Sequence, residues 1–297
     1  MECMVSRVGR VVILILPIIG CENRAVEWCR AGGATEIVSS DQPRASLGPG
    51  TAQRVPAGSL EGGGPLGSGA PWPNEPAGLT PVTDARFHAL NENGWRGQGS
   101  GLAVAADPPD APSRASTLLF AYGPGFPGGN APGVEFYHLP TPTRETYFGF
   151  WWKASAGWQN HAASGVNKIA LLFPATSGAG AMYIMMFFDG TNYTLQVEPT
   201  FAADTRRLAP NVRATPVRLG AWHRVEWYAR YSTTATSRDG VTRWWLDGEL
   251  QGEHTDLQMP GDSGFLEYTI RPVWGGVGDI KTQTDCYWFR HAHISRG

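Results

Sequence analysis

Nine runs of β-branched and aromatic residues follow Val82, each closed by Gly, Pro, Asn or Asp, and this spacing constrains the chain more than any other feature. They are STLLFAYG, TYFGFWWKAS, VNKIALLFP, AMYIMMFFDG, YTLQVEP, WHRVEWYARYS, VTRWWLDGEL, GFLEYTIRPVW and DCYWFRHAHIS. Runs of this length and make-up read as strands. Asp-Gly pairs in FFDGTNY, SRDGV and LDGEL supply hairpin turns. No stretch after residue 82 keeps a helical period over three turns. The reading is an all-β protein, with residues 82–297 forming one antiparallel β-sandwich.

TRWWLDGEL sets Trp244 beside Trp245. Neighbouring side chains of a strand point to opposite faces, so the two cannot share one core. Alternation places Val225, Trp227 and Ala229 with Trp244 and Leu246 in the interior. Arg224, Glu226, Tyr228 and Arg230 then face the other way, with Arg243 and Trp245 across from them. A flat indole among planar hydrogen-bonding groups suits a sugar, and the cations suit an acidic one. Polysaccharide is therefore the expected partner. Lys168 joins this face if Ile169, Leu171 and Phe173 point inward, and Tyr183 is a similar candidate. Trp274, ahead of a Gly-rich turn, is either a rim over the groove or part of a tight turn. The competing reading covers Trp245 with a loop and pairs the charges across strands.

Only 17% of residues are charged and the net charge is -2, which excludes a nucleic-acid footprint. From Glu22 to about Thr80 the chain is rich in Gly, Pro, Ser and Ala without an apolar period, and reads as a disordered tether. Ahead of it, Arg7 and Arg10 flank the apolar run Val11–Ile19, too short to span a bilayer comfortably. The division is therefore an export signal over 1–20, a linker over 21–81 and the sandwich over 82–297.

The run ends in IIGC, Ile18 to Cys21, which resembles the lipobox of bacterial lipoproteins. The resemblance implies cleavage before Cys21, lipid on its thiol, and contact with the membrane through that lipid alone. Glu22 rather than aspartate follows, which points to the outer membrane or cell surface. Cys3 leaves with the signal, so Cys29 and Cys286 are left to pair or stay free, one in the tether and one in a strand.

The pair GAWHRVEWYARY and GVTRWWLDGEL resembles the central hairpin of concanavalin A-like jelly rolls of the laminin-G, legume-lectin and glucanase type. Trp222, His223 and Val225 match its first element, and Trp244, Leu246, Asp247 and Gly248 its second. The closing YWFRHAHIS resembles the last strand of such domains, with Arg290 where an acidic residue is expected. The resemblance implies the jelly-roll fold, which hosts lectins, hydrolases, lyases and adhesive modules. The E-x-D-x-x-E strand of its glucanases is absent, because Trp227, Tyr228 and Ala229 follow Glu226, so hydrolysis by that route is not expected. Jelly-roll lyases use a Tyr, His or Lys base beside a cation; Lys168, Tyr183 and Tyr228 are candidate bases, although the alginate-lyase signatures are missing. Binding of polysaccharide leads, with a metal-independent lyase and an adhesive surface protein as alternatives. No cofactor or metal is expected: His291 and His293 share a face without further ligands, Asp189, Asp239 and Asp247 read as turn residues, and nothing indicates structural calcium.

Overall fold

The computed structural model describes residues 19–31, 72–106, 116–261 and 264–297. The signal up to Ile18, linker residues 32–71 and the Cys21 side chain lie outside the described residues. One helix, α1 (Ile19–Arg30), precedes the strands β1 (Thr80–Ala85), β2 (Arg96–Gln98), β3 (Leu102–Ala106) and β4 (Ser116–Tyr122). Then come β5 (Val134–Thr143), β6 (Glu145–Ala154), β7 (Val166–Pro174), β8 (Met182–Phe188) and β9 (Tyr193–Pro199). The chain closes with β10 (His223–Arg230), β11 (Gly240–Leu246), β12 (Glu249–Leu257), β13 (Phe265–Ile270) and β14 (Asp285–Arg296).

Two antiparallel sheets form the expected sandwich. The eight-stranded sheet runs β12-β11-β10-β6-β14-β4-β3, with β1 paired to β14, and the six-stranded sheet runs β2-β5-β13-β7-β8-β9. Alternation decides what fills the space between them. Val225, Trp227, Ala229, Trp244 and Leu246 all enter the main core, as expected, and meet Ile184, Met186, Leu195 and Val197 from the facing sheet. Trp244 donates its Nε1–H to the Leu195 carbonyl at 3.0 Å, so the indole is buried with its polar atom satisfied. The β11–β12 turn is closed by His223, whose Nδ1 lies 2.7 Å from Asp247 Oδ2, while the Arg224 N–H reaches Oδ1 at 2.8 Å. Asp247 has φ 54°, a left-handed position that aspartate tolerates.

The outer face of the eight-stranded sheet is covered by segments expected to be linker. Ala25, Val26 and Cys29 of α1 pack on Ala121, Cys286 and Trp288. Cys29 and Cys286 form a disulfide with Cα atoms 6.0 Å apart, a cross-link worth about 2–4 kcal/mol. Beside the helix, Trp72 lies on the sheet over Gly149, where a Cβ would come within 2.5 Å of its ring. Its ring centroid is 5.0 Å from that of His291 and 5.8 Å from that of His293. Glu226 fastens this strap. Fully buried, it accepts from the Asn74 N–H at 3.1 Å, the Asn74 amide at 3.0 Å, the Tyr147 hydroxyl at 2.6 Å and Arg224 Nε at 2.8 Å. A composition scan misses these segments because a few apolar residues suffice where a preformed face receives them.

One buried carboxylate lies on the core side of the six-stranded sheet. Glu135 is closed to solvent, accepts the Asn91 N–H at 3.3 Å, and has no hydrogen bond to Oε2 among the described residues. Burial pushes it up to about 7, against a slight opposing pull from the Asn91 N–H.

Two outcomes follow. Glu226→Gln removes the charge that gathers four donors, and is expected to cost about 2–3 kcal/mol in denaturant melts and to speed protease cleavage within residues 72–79. For Glu135 the folded value stands above the ordinary 4.5, so its stabilising effect is full below about 4.5 and is lost as pH rises through about 7. Glu135→Gln should match wild type near pH 4 and exceed it by on the order of 2 kcal/mol near pH 8, measured by chemical denaturation.

Candidate functional site

The face expected to bind sugar is closed. Trp245 is 9% exposed and packs with Trp72, Tyr147, Tyr228 and Val241, so the second tryptophan meets the strap and its neighbours rather than a ligand. Glu226 is consumed by the strap. Arg224 is paired to it, and Arg243 is paired to Glu253 at 2.6 Å. Tyr228 donates to Glu145 Oε1 at 2.6 Å, and burial with that bond pushes it up to about 12. Arg230 is exposed at the end of β10. Trp274 is not a rim either: it is fully buried, with Nε1–H donated to the Gln159 carbonyl at 2.9 Å. It forms one wall of an aromatic cage around Lys281, whose Nζ is 4.6 Å from its ring, 4.1 Å from Trp158 and 2.5 Å from Asp285 Oδ2.

Lys168 and Tyr183 lie elsewhere, together, on the outer face of the six-stranded sheet. A bulge falls between Lys168 and Ala170 in β7. Ile169 enters the core and Lys168 faces outward, as expected, but the extra residue brings Ala170 and Leu172 into the core as well and turns Leu171 and Phe173 outward, correcting the expectation that these two point inward. On β8, strict alternation puts Met182, Ile184 and Met186 inside and Tyr183, Met185 and Phe187 outside. Val166, Leu171, Tyr183, Met185 and the partly buried Phe173 and Phe187 form a continuous apolar floor.

Polar groups gather over this floor. Lys168 Nζ stands 4.2 Å from the centre of the Tyr183 ring. Tyr183 pairs with Glu198 across β8 and β9, and its hydroxyl donates to Glu198 Oε1. Arg207, on the segment after β9, places Nε 2.8 Å from Glu198 Oε2 and its guanidinium 4.5 Å from the Phe187 ring. Burial lowers the Lys168 ammonium below the ordinary lysine range; Glu198 opposes that and Arg271 adds to it. Tyr183 moves the other way, held protonated by burial and by Glu198. One strand over, Glu267 lies 3.8 Å from His138. The site thus combines a lysine that loses its proton more readily than usual, a phenol that keeps its own, and guanidinium groups able to take a carboxylate. Glu198, Arg207 and Arg271 were missed in the sequence. YTLQVEP does carry a signal, since Thr194, Gln196 and Glu198 alternate with Leu195 and Val197; the segment holding Arg207 has no such period.

No protein-family model matches the chain, and no curated protein does. Among solved structures, the endo-β-1,4-glucuronan lyase of the fungus Trichoderma reesei is similar at a TM-score of 0.54 and 18% identity, over 73% of this chain and 96% of that one. Alginate lyase vAL-1 from a Chlorella virus is similar at a TM-score of 0.50 and 10% identity, over 73% of this chain and all of that one, 100%. What these likenesses share with the chain is the jelly-roll sandwich fold.

Proposed function

We propose that the protein binds an acidic polysaccharide on the outer face of its six-stranded sheet and cleaves it by β-elimination, with Lys168 as the base. The observation that carries this is the meeting of Lys168, Tyr183 and Arg207 over one apolar floor. The names of the two enzymes similar in fold, which act on glucuronan and alginate, support a uronate polymer as substrate. The IIGC sequence supports placing this domain at a bacterial cell surface, anchored through Cys21.

The reaction balances on these side chains. Neutral Lys168 takes the proton from the sugar carbon beside the carboxylate, and the electron pair forms a double bond to the neighbouring carbon. The glycosidic C–O bond at that carbon breaks, and the leaving oxygen takes a proton from Tyr183, which Lys168 restores through solvent. A guanidinium beside the substrate carboxylate stabilises the charge that develops during proton removal. Burial of Lys168 makes its neutral form accessible nearer physiological pH.

The test is incubation of the purified protein with glucuronan, alginate and neutral glucans, following the ultraviolet absorbance of the unsaturated product alongside retention in affinity gels. Product is expected from a uronate polymer and not from a glucan. Lys168→Ala should lower kcat by about 1,000-fold while retention persists, and Lys168→Arg should not rescue it, because a guanidinium stays protonated. The ascending limb of the wild-type pH profile should fall below the 10.5 of an ordinary lysine. Retention without product would make the protein a binding module, and neither signal would overturn the reading.

A further inference from the structure

We propose that Glu198 is a resident stand-in for the ligand's carboxylate, occupying Arg207 and Tyr183 in the empty site and giving them up when a uronate arrives. The inference rests on reading this face as an acidic-polysaccharide site, and it assigns Glu198 the control of that site's affinity. A carboxylate is otherwise out of place where a polyanion must settle, because it repels the ligand it faces. Its geometry resolves the conflict.

Both Glu198 oxygens are taken, one by the Tyr183 hydroxyl and the other by Arg207 Nε at 2.8 Å. A sugar carboxylate would meet the same two donors, one oxygen on the guanidinium and one on the phenol. Glu198 belongs to β9, the last strand in the sheet order, and its side chain is 18% exposed, so it can swing toward solvent without disturbing the core. The Arg207 side chain is 40% exposed. Its backbone is fixed on both sides. Leu208 exchanges two hydrogen bonds with Val197, at 2.8 and 3.2 Å, and Arg206 is clamped between Asp204 at 2.8 Å and Asp256 at 2.7 Å. The receptor group is therefore held in place while its present partner can leave.

Displacement has a second effect. Once Glu198 departs, the Tyr183 hydroxyl loses its acceptor and is free to face the leaving oxygen. Ligand binding and arming of the proton donor are thus one event, as expected where a single side chain bridges two functional groups.

The test is isothermal titration calorimetry of the purified full chain with oligoglucuronate and with alginate oligosaccharides, for wild type, Glu198→Gln, Glu198→Asp and Arg207→Ala. Thermal melts confirm that each variant is folded. Glu198→Gln is expected to tighten binding about five-fold, Glu198→Asp to lie between it and wild type, and Arg207→Ala to weaken binding about ten-fold. In Glu198→Gln the ascending limb of kcat/KM should also move to lower pH, a change that a purely structural residue would not produce. Weaker or unchanged binding by Glu198→Gln overturns the inference; if Arg207→Ala still loses affinity, the site reading survives. Binding of neither oligosaccharide by wild type or Glu198→Gln overturns both.

Discussion

A sheet that carries aromatic side chains on both faces must be covered twice, and the arrangement of this molecule follows from how that is done. The inner face of the eight-stranded sheet is covered by the other sheet. Its outer face carries Tyr147, Tyr228, Trp245 and Trp288, and is covered by α1 and by the Trp72 strap. Glu226 turns that cover into a fixed structure by drawing four donors onto one buried carboxylate, and the Cys29–Cys286 bridge fastens the helix beside it. A buried charge is tolerable only when it is this fully partnered. The part of this face around Trp245 is therefore filled by the protein's own side chains.

The six-stranded sheet is resolved differently. Its outer apolar floor is itself buried, beneath Lys168, Glu198 and Arg207, which reach solvent. Burial lowers the proton affinity of Lys168, while burial and Glu198 keep the Tyr183 proton in place. Two neighbours on adjacent strands are pushed in opposite directions by one environment, the usual arrangement for a base and a proton donor that work together.

How far the sequence reveals this depends on the range of the interaction. Alternation is local, and it places Val225, Trp227, Ala229, Trp244 and Leu246 in the core correctly. It fails at Leu171 and Phe173, because one bulged residue after Lys168 inverts the facing of the residues that follow in β7. Hairpin pairing is nearly local: counting outward from the turn at residues 189–192 sets Tyr183 opposite Glu198, so that half of the site was legible. Which sheet a strand joins is not local. Lys168 and Tyr228 share a residue pattern but lie on opposite sides of the sandwich, and no periodicity distinguishes them. The strap is least legible, since Trp72 and Asn74 in a Gly- and Pro-rich stretch gain order from Gly149, Glu226, His291 and His293, all far along the chain.

The central claim, that one outer face is sealed and the other receives ligand, is tested most directly by hydrogen–deuterium exchange of the full chain with and without oligoglucuronate. The account predicts added protection in β7, β8, β9 and residues 200–208, with residues 72–79, β10 and β11 unchanged. Protection concentrated on residues 72–79, β10 and β11 would contradict it, and would return the ligand to the face around Trp245.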